Sequence, residues 1–222
     1  MKLTLAGNEL ELLAERAVWW PAQRTVIVAD VHLGKDQVFR RAGIAIPAAV
    51  LAEELAALDR LIERCRPDRL LVLGDWVHAA PADGERWPAE IAAWRRHHAE
   101  LAIDLVLGNH DRRIEPWLPE WGIQARYDSI LINQLNMVHE VDSENPEPGL
   151  SGHLHPVAWL SAGRERVRLP AFACSREHLI LPAFGRFTGG FDGLDRRRWA
   201  YFAVAGRRVV AIPNRAGTRR KD

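Results

Sequence analysis

Leu70-Leu71-Val72-Leu73-Gly74-Asp75-Trp76-Val77-His78 is the stretch that decides the architecture. Its apolar run, Leu70 to Leu73, predicts a buried strand. Gly74 ends the run, and Asp75 then stands at the strand's carboxyl end. An unpaired carboxylate there is costly to bury, and a bound cation compensates it. The same grammar recurs on both sides. Upstream, the apolar, β-branched run from Arg24 to Ala29 ends in Asp30 and, two residues on, His32. Downstream, the run from Ile103 to Leu107 leads into Gly108-Asn109-His110-Asp111.

Helical patterns separate these strands. Pro47 suits a first helical turn, and Leu51, Leu55, Leu58 and Ile62 then recur at three- and four-residue spacing to make one apolar stripe. Pro67 closes that helix. Glu85 to Leu101 is the next helical segment, with Trp87, Ile91 and Trp94 on one side. Strand, helix, strand, helix, strand, with polar side chains at the strand ends, predicts an α/β fold with a site at the carboxyl edge of the sheet. Before this unit, two or three short strands are expected, with a turn at Gly7-Asn8. Lys35, Arg40 and Arg41 are expected in a loop after the first strand of the unit. Beyond Trp121, short β-like runs lie around Ile130–Val138, Leu179–Leu181, Trp199–Ala203 and Arg208–Ile212, separated by Gly- and Pro-rich turns. They predict a second, mostly antiparallel sheet and no long helix. No repeat or linker divides the chain, so residues 1–222 are expected to form one domain with a short basic tail from about residue 214.

An apolar content of 48% with 27% charged residues is that of a folded, soluble chain rather than a disordered one. No apolar run approaches the roughly 20 residues of a membrane span. The polar and acidic start, M-K-L-T-L-A-G-N-E-L-E-L, argues against an export signal, and a cytoplasmic location is expected. Cys65 and Cys174, far apart and outside any C-x-x-C pattern, suit two reduced thiols. The net charge of +1 is unevenly spread: Gly193 to Asp222 carries nine basic residues against Asp195 and Asp222. A basic end of this kind either contacts a phosphate backbone or is a solubilising tail.

The candidates for one polar centre are Asp30, His32, Asp75, Asn109, His139, His153 and His155. Asp30-x-His32 and His153-x-His155 place two donors on one face of extended backbone. Seven donors exceed one four-coordinate ion but serve two adjacent ions if Asp75 bridges them. Mixed oxygen and nitrogen donors admit Mn, Fe or Zn, and ligand type does not choose among them; Mn2+ is the expected ion, with Fe and Zn as alternatives. Two such ions about 3.5–4 Å apart activate a bridging hydroxide and neutralise charge on a transferring phosphoryl group. His110 is then better suited to chemistry than to metal binding, bonding a phosphate oxygen or protonating the leaving alkoxide. Asp111 either orients that imidazole or caps the following turn. His78, three residues past Asp75, is expected to orient a ligand or touch substrate. His97, His98 and His178 read as structural. Lys35, Arg40, Arg41 and Arg186 are candidates for contact with a polyanion; a solvated loop for the first three, and a sheet-closing loop for Arg186, are the alternatives.

These motifs, D-V-H, G-D-W-V-H, G-N-H-D, the isolated His139 and G-H-L-H, in this order between Asp30 and His155, resemble the calcineurin-like metallophosphoesterase superfamily. The resemblance implies a four-layer α/β/β/α sandwich with a dinuclear metal site at the sheet edges. It implies Asp30, His32, Asp75 and His155 about one ion and Asp75, Asn109, His139 and His153 about the other, with His110 as acid or phosphate stabiliser. A-D-V-H-L-G-K, S-G-H-L-H-P and L-P-A-F-G-R-F-T-G-G extend the likeness to the bacterial ligase-associated DNA damage response phosphoesterases. That narrower likeness implies a phosphodiesterase or nuclease acting on DNA or DNA ends in repair, alongside a DNA ligase, a helicase and a second nuclease. A phosphatase or phosphodiesterase for a small nucleotide, and a metal-stabilised interaction module of a repair complex, are the alternatives.

Overall fold

The structure, a computed structural model, describes residues 1–47, 49–144, 146–162 and 165–213. Seven strands form the first sheet in chain order: β1 (Lys2–Leu5), β2 (Asn8–Leu12), β3 (Val18–Trp20), β4 (Thr25–Val28), β5 (Arg69–Leu73), β6 (Ala102–Val106) and β7 (Gln124–Arg126). Pairing is antiparallel from β1 to β4 and parallel from β4 to β7. The β1–β2 turn is centred on Ala6-Gly7 rather than on Gly7-Asn8; both have positive φ, at 44° and 78°. Asn8 already belongs to β2 and faces Leu5.

The segment expected as a loop after β4 contains a short helix, α1 (Lys35–Arg41). Gly34, at φ 74°, starts it, and an Asp36–Arg40 ion pair at 3.2 Å spans one turn. Helix α2 (Val50–Cys65) connects β4 to β5, and helix α3 (Trp87–His97) connects β5 to β6. These crossovers make the strands parallel. Helix α2 begins three residues beyond Pro47 and buries Leu51, Leu55, Leu58 and Leu61; Ile62 packs at the margin of that stripe. It stops where Arg66 turns left-handed before Pro67. Helix α3 is shorter than the periodicity predicts and starts at Trp87 with Pro88 in its first turn.

The second sheet contains β8 (Ile130–Ile132), β9 (Leu135–Met137), β10 (Gly149–Ser151), β11 (Val157–Ala162), β12 (Glu165–Cys174), β13 (His178–Ile180), β14 (Ala200–Ala205) and β15 (Arg208–Ile212). Its order is β15-β14-β12-β13-β10-β9-β8, with β11 paired to β12. The pairing is mostly antiparallel, but β9, β10 and β13 run parallel.

Side-chain alternation builds the layers. Val26, Val28, Leu70, Val72, Ile103 and Leu105 face the core shared with α2 and α3, while Ile27, Leu71, Leu73 and Val106 face the second sheet. There they meet Met137, Leu150, Phe172 and Leu179. Burial on both faces explains why these strands read as unbroken apolar runs. The outer face of the second sheet, with Ala171, Ala173 and Tyr201, is covered by Leu194 and Trp199 of the segment leading into β14. The whole is an α/β/β/α-like sandwich in which, among the described residues, irregular chain covers that last face. Residues 214–222, the tail expected to be basic, lie outside the described residues.

Candidate metal centre

Strands β4, β5, β6, β9 and β10 each end at one edge of the sandwich, and each hands a polar side chain to it. Asp30 and His32 follow β4, Asp75 follows β5, and Asn109 and His110 follow β6. From the second sheet, His139 follows β9, and His153 and His155 follow β10. The expected extended geometry of Asp30-x-His32 and His153-x-His155 is not what forms. Asp30, His32, Asp75, His153 and His155 all lie in the left-handed region, with φ of 53°, 54°, 53°, 66° and 49°. Each such residue costs of order 1–3 kcal/mol and persists only where its surroundings over-determine it. For Asp30, His32 and Asp75 backbone bonds across the two loops do so: Asp30 N–H donates to Gly74 O (3.0 Å), His32 N–H to Asp75 O (2.9 Å) and Leu33 N–H to Trp76 O (3.0 Å). His153 N–H donates to the Asp30 carboxylate (2.9 Å), and His155 O accepts Phe191 N–H (3.0 Å).

Glycine beside a ligand position has a steric reason. A Cβ on Gly74 would lie 2.0 Å from His139 Nδ1, and Gly74 itself sits at φ 81°. On Gly108, a Cβ would lie 2.2 Å from Asp75 Oδ1.

The donors converge with only part of their hydrogen-bonding capacity used: Asp30 accepts the His153 N–H (2.9 Å) and Asp75 the His110 N–H (3.0 Å). His139 Nδ1 is 3.0 Å from the Leu73 carbonyl. A carbonyl only accepts, so Nδ1 carries the proton and Nε2 presents a lone pair. That Nε2 lies 3.1 Å from Asn109 Oδ1 and 3.1 Å from His153 Nδ1, and 3.8 Å from Asp75 Oδ1. His139 Nε2 and Asn109 Oδ1 both accept, and two acceptors at this distance suit a shared cation, while His153 Nδ1–H can donate to Nε2 until an ion displaces the proton. On the other side, His155 Nε2 is 3.3 Å from Asp30 Oδ1, and His32 Nε2 is 3.7 Å from Asp75 Oδ2. His32 Nδ1 and His155 Nε2 are buried with no hydrogen-bond partner. Donor atoms of Asp30, His32 and His155, and of Asp30, Asp75 and His139, each cluster within 4.8 Å of one another. Two overlapping clusters of buried carboxylates and imidazoles fit two divalent ions. Burial holds His32 neutral, its pKa pushed down to about 2 with help from Lys35 and the neighbouring imidazoles. The same burial raises the Asp75 carboxyl. A neutral imidazole and a carboxylate that solvent does not stabilise are good ligands for an added positive charge.

A third cluster joins His32 to His78 and His110. The His78 and His110 rings stack at 4.7 Å between centroids. His110 Nδ1 lies 2.7 Å from the His78 carbonyl, so Nδ1 donates, and Nε2 points toward Asp75, 3.9 Å from Oδ2. Burial, then Lys35, pushes the His78 ring down to about 4. Asp111 neither orients His110 nor caps the next turn through its side chain. It is fully buried and accepts the backbone N–H groups of Asp75 (2.7 Å), Trp76 (2.9 Å) and Gly108 (2.9 Å), tying the β5 loop to the β6 loop.

The basic candidates separate. Lys35 is half-buried at the start of α1, close enough to feel Asp75 and Glu54, and burial lowers its pKa. Arg40 pairs with Asp36 and donates to Pro47 O (2.7 Å), and Arg41 pairs with Glu85 (3.4 Å); neither is drawn into the centre by these contacts. Arg186 pairs with Glu53 and lines a cavity that also has His155, Arg16 and Arg168 in its wall. Arg16 and Arg168 carry no local sequence signal, because nothing near either marks a site. Arg112 and Arg113, which directly follow the Gly108–Asp111 motif, line a second cavity with His78, Asn109 and His110. His98 bonds Asp59 (2.7 Å), and buried His178 bonds Glu147 O and Ser151, roles in packing rather than in the centre. Cys65 and Cys174 are both unpaired.

Residues 23–171 match the family model described as calcineurin-like phosphoesterase. Among solved structures, the chain is similar to the nuclease MPE of Pseudomonas putida, at 33% identity and a TM-score of 0.82, covering 96% of this chain and 99% of that one. It also matches Yfce, a phosphoesterase from E. coli, at 17% identity and a TM-score of 0.43, over 84% of this chain and 96% of that one. No curated protein matches at a significant level.

Proposed function

Because this chain belongs to the calcineurin-like phosphoesterase family, and is a metal-dependent phosphoesterase, we propose that it hydrolyses phosphodiester bonds of DNA, internally or at ends, during repair. The observation that carries the reading is the convergence of carboxylates and imidazoles from both sheets on one edge, with His32 Nδ1 and His155 Nε2 buried without a partner. The DNA assignment is supported by the likeness to a chain that is itself a nuclease. Asp30, His32, Asp75 and His155 would hold one ion, and Asp75, Asn109, His139 and His153 the other, with Mn2+ first in order. When bound, such ions neutralise charge on a phosphoryl group and make water acidic enough to supply a nucleophile.

The chain's own residues do the rest. Asp75 Oδ1 accepts the His110 backbone N–H at 3.0 Å, which fixes the His110 loop against the ligand. His110, its Nδ1–H engaged by the His78 carbonyl, can carry a second proton on Nε2 and deliver it to the leaving alkoxide or to a phosphoryl oxygen. Lys35 adds a positive charge beside the same centre. A place beside a DNA ligase, a helicase and a second nuclease belongs to this proposal and comes from the sequence resemblance.

The test is hydrolysis of an aryl phosphodiester and of single- and double-stranded DNA, with Mn2+ restored after chelation. Asp75→Ala should abolish turnover of all three substrates. His110→Ala should lower it by about 10²-fold or more. Activity that survives both substitutions would mean the chemistry lies elsewhere.

A further inference from the structure

The His155 end of the centre opens into a cavity of about 180 Å³. Its walls are Arg16, Arg168 and Arg186 with His155, backed by Pro156, Val157, Pro170 and the Thr188–Gly190 turn; no carboxylate lines it. Three guanidiniums come to it from separate parts of the chain, and each is held by a fixed contact. Arg16 follows β2, is half-buried, and donates from Nη1 to the carbonyls of Ala183 (3.4 Å), Phe184 (3.5 Å) and Gly185 (3.2 Å). Arg168, on β12, bonds the Gly190 carbonyl, and Arg186 is tethered to Glu53 of α2 on its outer side. Among the described residues, Arg16 and Arg168 have no carboxylate partner. Burial and the nearby Arg186 both disfavour the charge on Arg16. A folded chain that gathers three like charges in a recess, with a carboxylate on Arg186 alone, leaves a site that an anion completes.

The shape narrows the anion. The volume is below the roughly 300–1,000 Å³ of pockets that enclose a whole small ligand. It suits a group rather than a nucleotide. Planar guanidiniums match the oxygens of phosphate, and phosphate contacts of this kind position a strand without reading its sequence. Because His155 belongs to both walls, whatever fills the cavity lies next to the centre.

We propose that Arg16, Arg168 and Arg186 form a subsite for the phosphate adjacent to the one hydrolysed, so that the substrate is a strand carrying at least two successive phosphates. This rests on His155 and its neighbours being the hydrolytic centre. The segment Ala183–Gly185, which Arg16 holds, also docks on the Asp30 loop, with Phe184 N–H on Ala29 O and Gly185 N–H on Asp30 O. The recess and the centre are therefore built on the same backbone.

Four chromogenic esters test it on the Mn2+-loaded full chain: p-nitrophenyl esters of thymidine 5′-phosphate with and without a 3′-phosphate, and of thymidine 3′-phosphate with and without a 5′-phosphate. In one polarity the second phosphate should raise kcat/KM by about tenfold. Arg168→Gln should bring that ratio close to 1. Arg186→Gln, also exposed, should lower it in the same polarity and serves if the first variant misfolds. Equilibrium binding of a fluorescent thymidine hexanucleotide in EDTA gives a readout that needs no turnover. Arg168→Gln should weaken it about tenfold and lower the salt slope by about 1. No gain from the second phosphate in either polarity, or a gain that both variants retain, overturns the subsite. If no ester is hydrolysed at all, the hydrolytic reading fails, and the hexanucleotide titration alone decides whether the arginines bind phosphate.

Discussion

Glu54, in α2, is 4% exposed, and its Oε2 has no hydrogen-bond partner. Burial pushes its carboxyl up to about 8, against the opposing pull of the Arg186 backbone N–H and of Lys35. The unfolded group titrates near 4.5, so the folded chain holds the proton more tightly. That contribution to stability is complete below about pH 4.5 and is lost as pH rises through about 8. Glu54→Gln keeps the shape and removes the titration. Urea unfolding should find the variant more stable than the parent by about 1–3 kcal/mol at pH 9, with the gap closing toward pH 5. A gap independent of pH would show that Glu54 is ionised throughout. At this scale the sequence tells which side chains meet but not how the backbone presents them. The D-x-H and H-x-H spacings identify the donors that converge. Their left-handed conformations stay hidden because Asp and His, although enriched among non-glycine residues at positive φ, adopt it in only a small minority of cases.

Asp111 is the main tie between the two loops that follow β5 and β6. Its carboxylate accepts N–H groups of Asp75, Trp76 and Gly108, beside the single His110 N–H bond to Asp75 Oδ1. Asp111→Ala should therefore leave three buried donors unsatisfied and cost about 3–5 kcal/mol, read as a fall in the urea midpoint. It should also weaken Mn2+ binding measured by titration. A variant that keeps parental stability but loses activity would make Asp111 a participant in the chemistry instead. Among elements, those with two buried faces are the legible ones: β4, β5 and β6 read directly from Val, Ile and Leu runs. The β11–β12 hairpin escapes because Glu165 to Arg168 is exposed and mostly charged, so neither apolar length nor clean alternation marks it. Helix α1 escapes for a related reason. It starts at a left-handed glycine, carries one ion pair within its turns and buries only Asp36, so no apolar stripe marks it. The arginine recess is the extreme case, since residues 16, 168 and 186 meet only when both sheets are in place.

At the level of the whole molecule, the two sheets are held together by apolar side chains between them and by the polar edge. Asp30, His32, Asp75 and Asn109 come from the first sheet, and His139, His153 and His155 from the second. Each donor cluster that includes Asp30 crosses the gap, through His155 in one case and His139 in the other. Ions in those clusters would clamp sheet to sheet and relieve the burial of Asp30 and Asp75, which are 0% and 3% exposed. Binding to the folded state alone stabilises by about 2.7 kcal/mol per ion at a hundredfold excess over Kd, hence about 5 kcal/mol for two ions. For a chain of this length that raises Tm by roughly 10–20 °C. Thermal unfolding in EDTA and in saturating Mn2+ should differ by that amount. Asp30→Asn, at the residue both clusters share, should remove most of the difference, whereas His139→Ala should remove about the half that its own cluster supplies, because His155 still joins the sheets in the other. A Tm rise that survives both substitutions in full would place the stabilising ions outside the gap between the sheets.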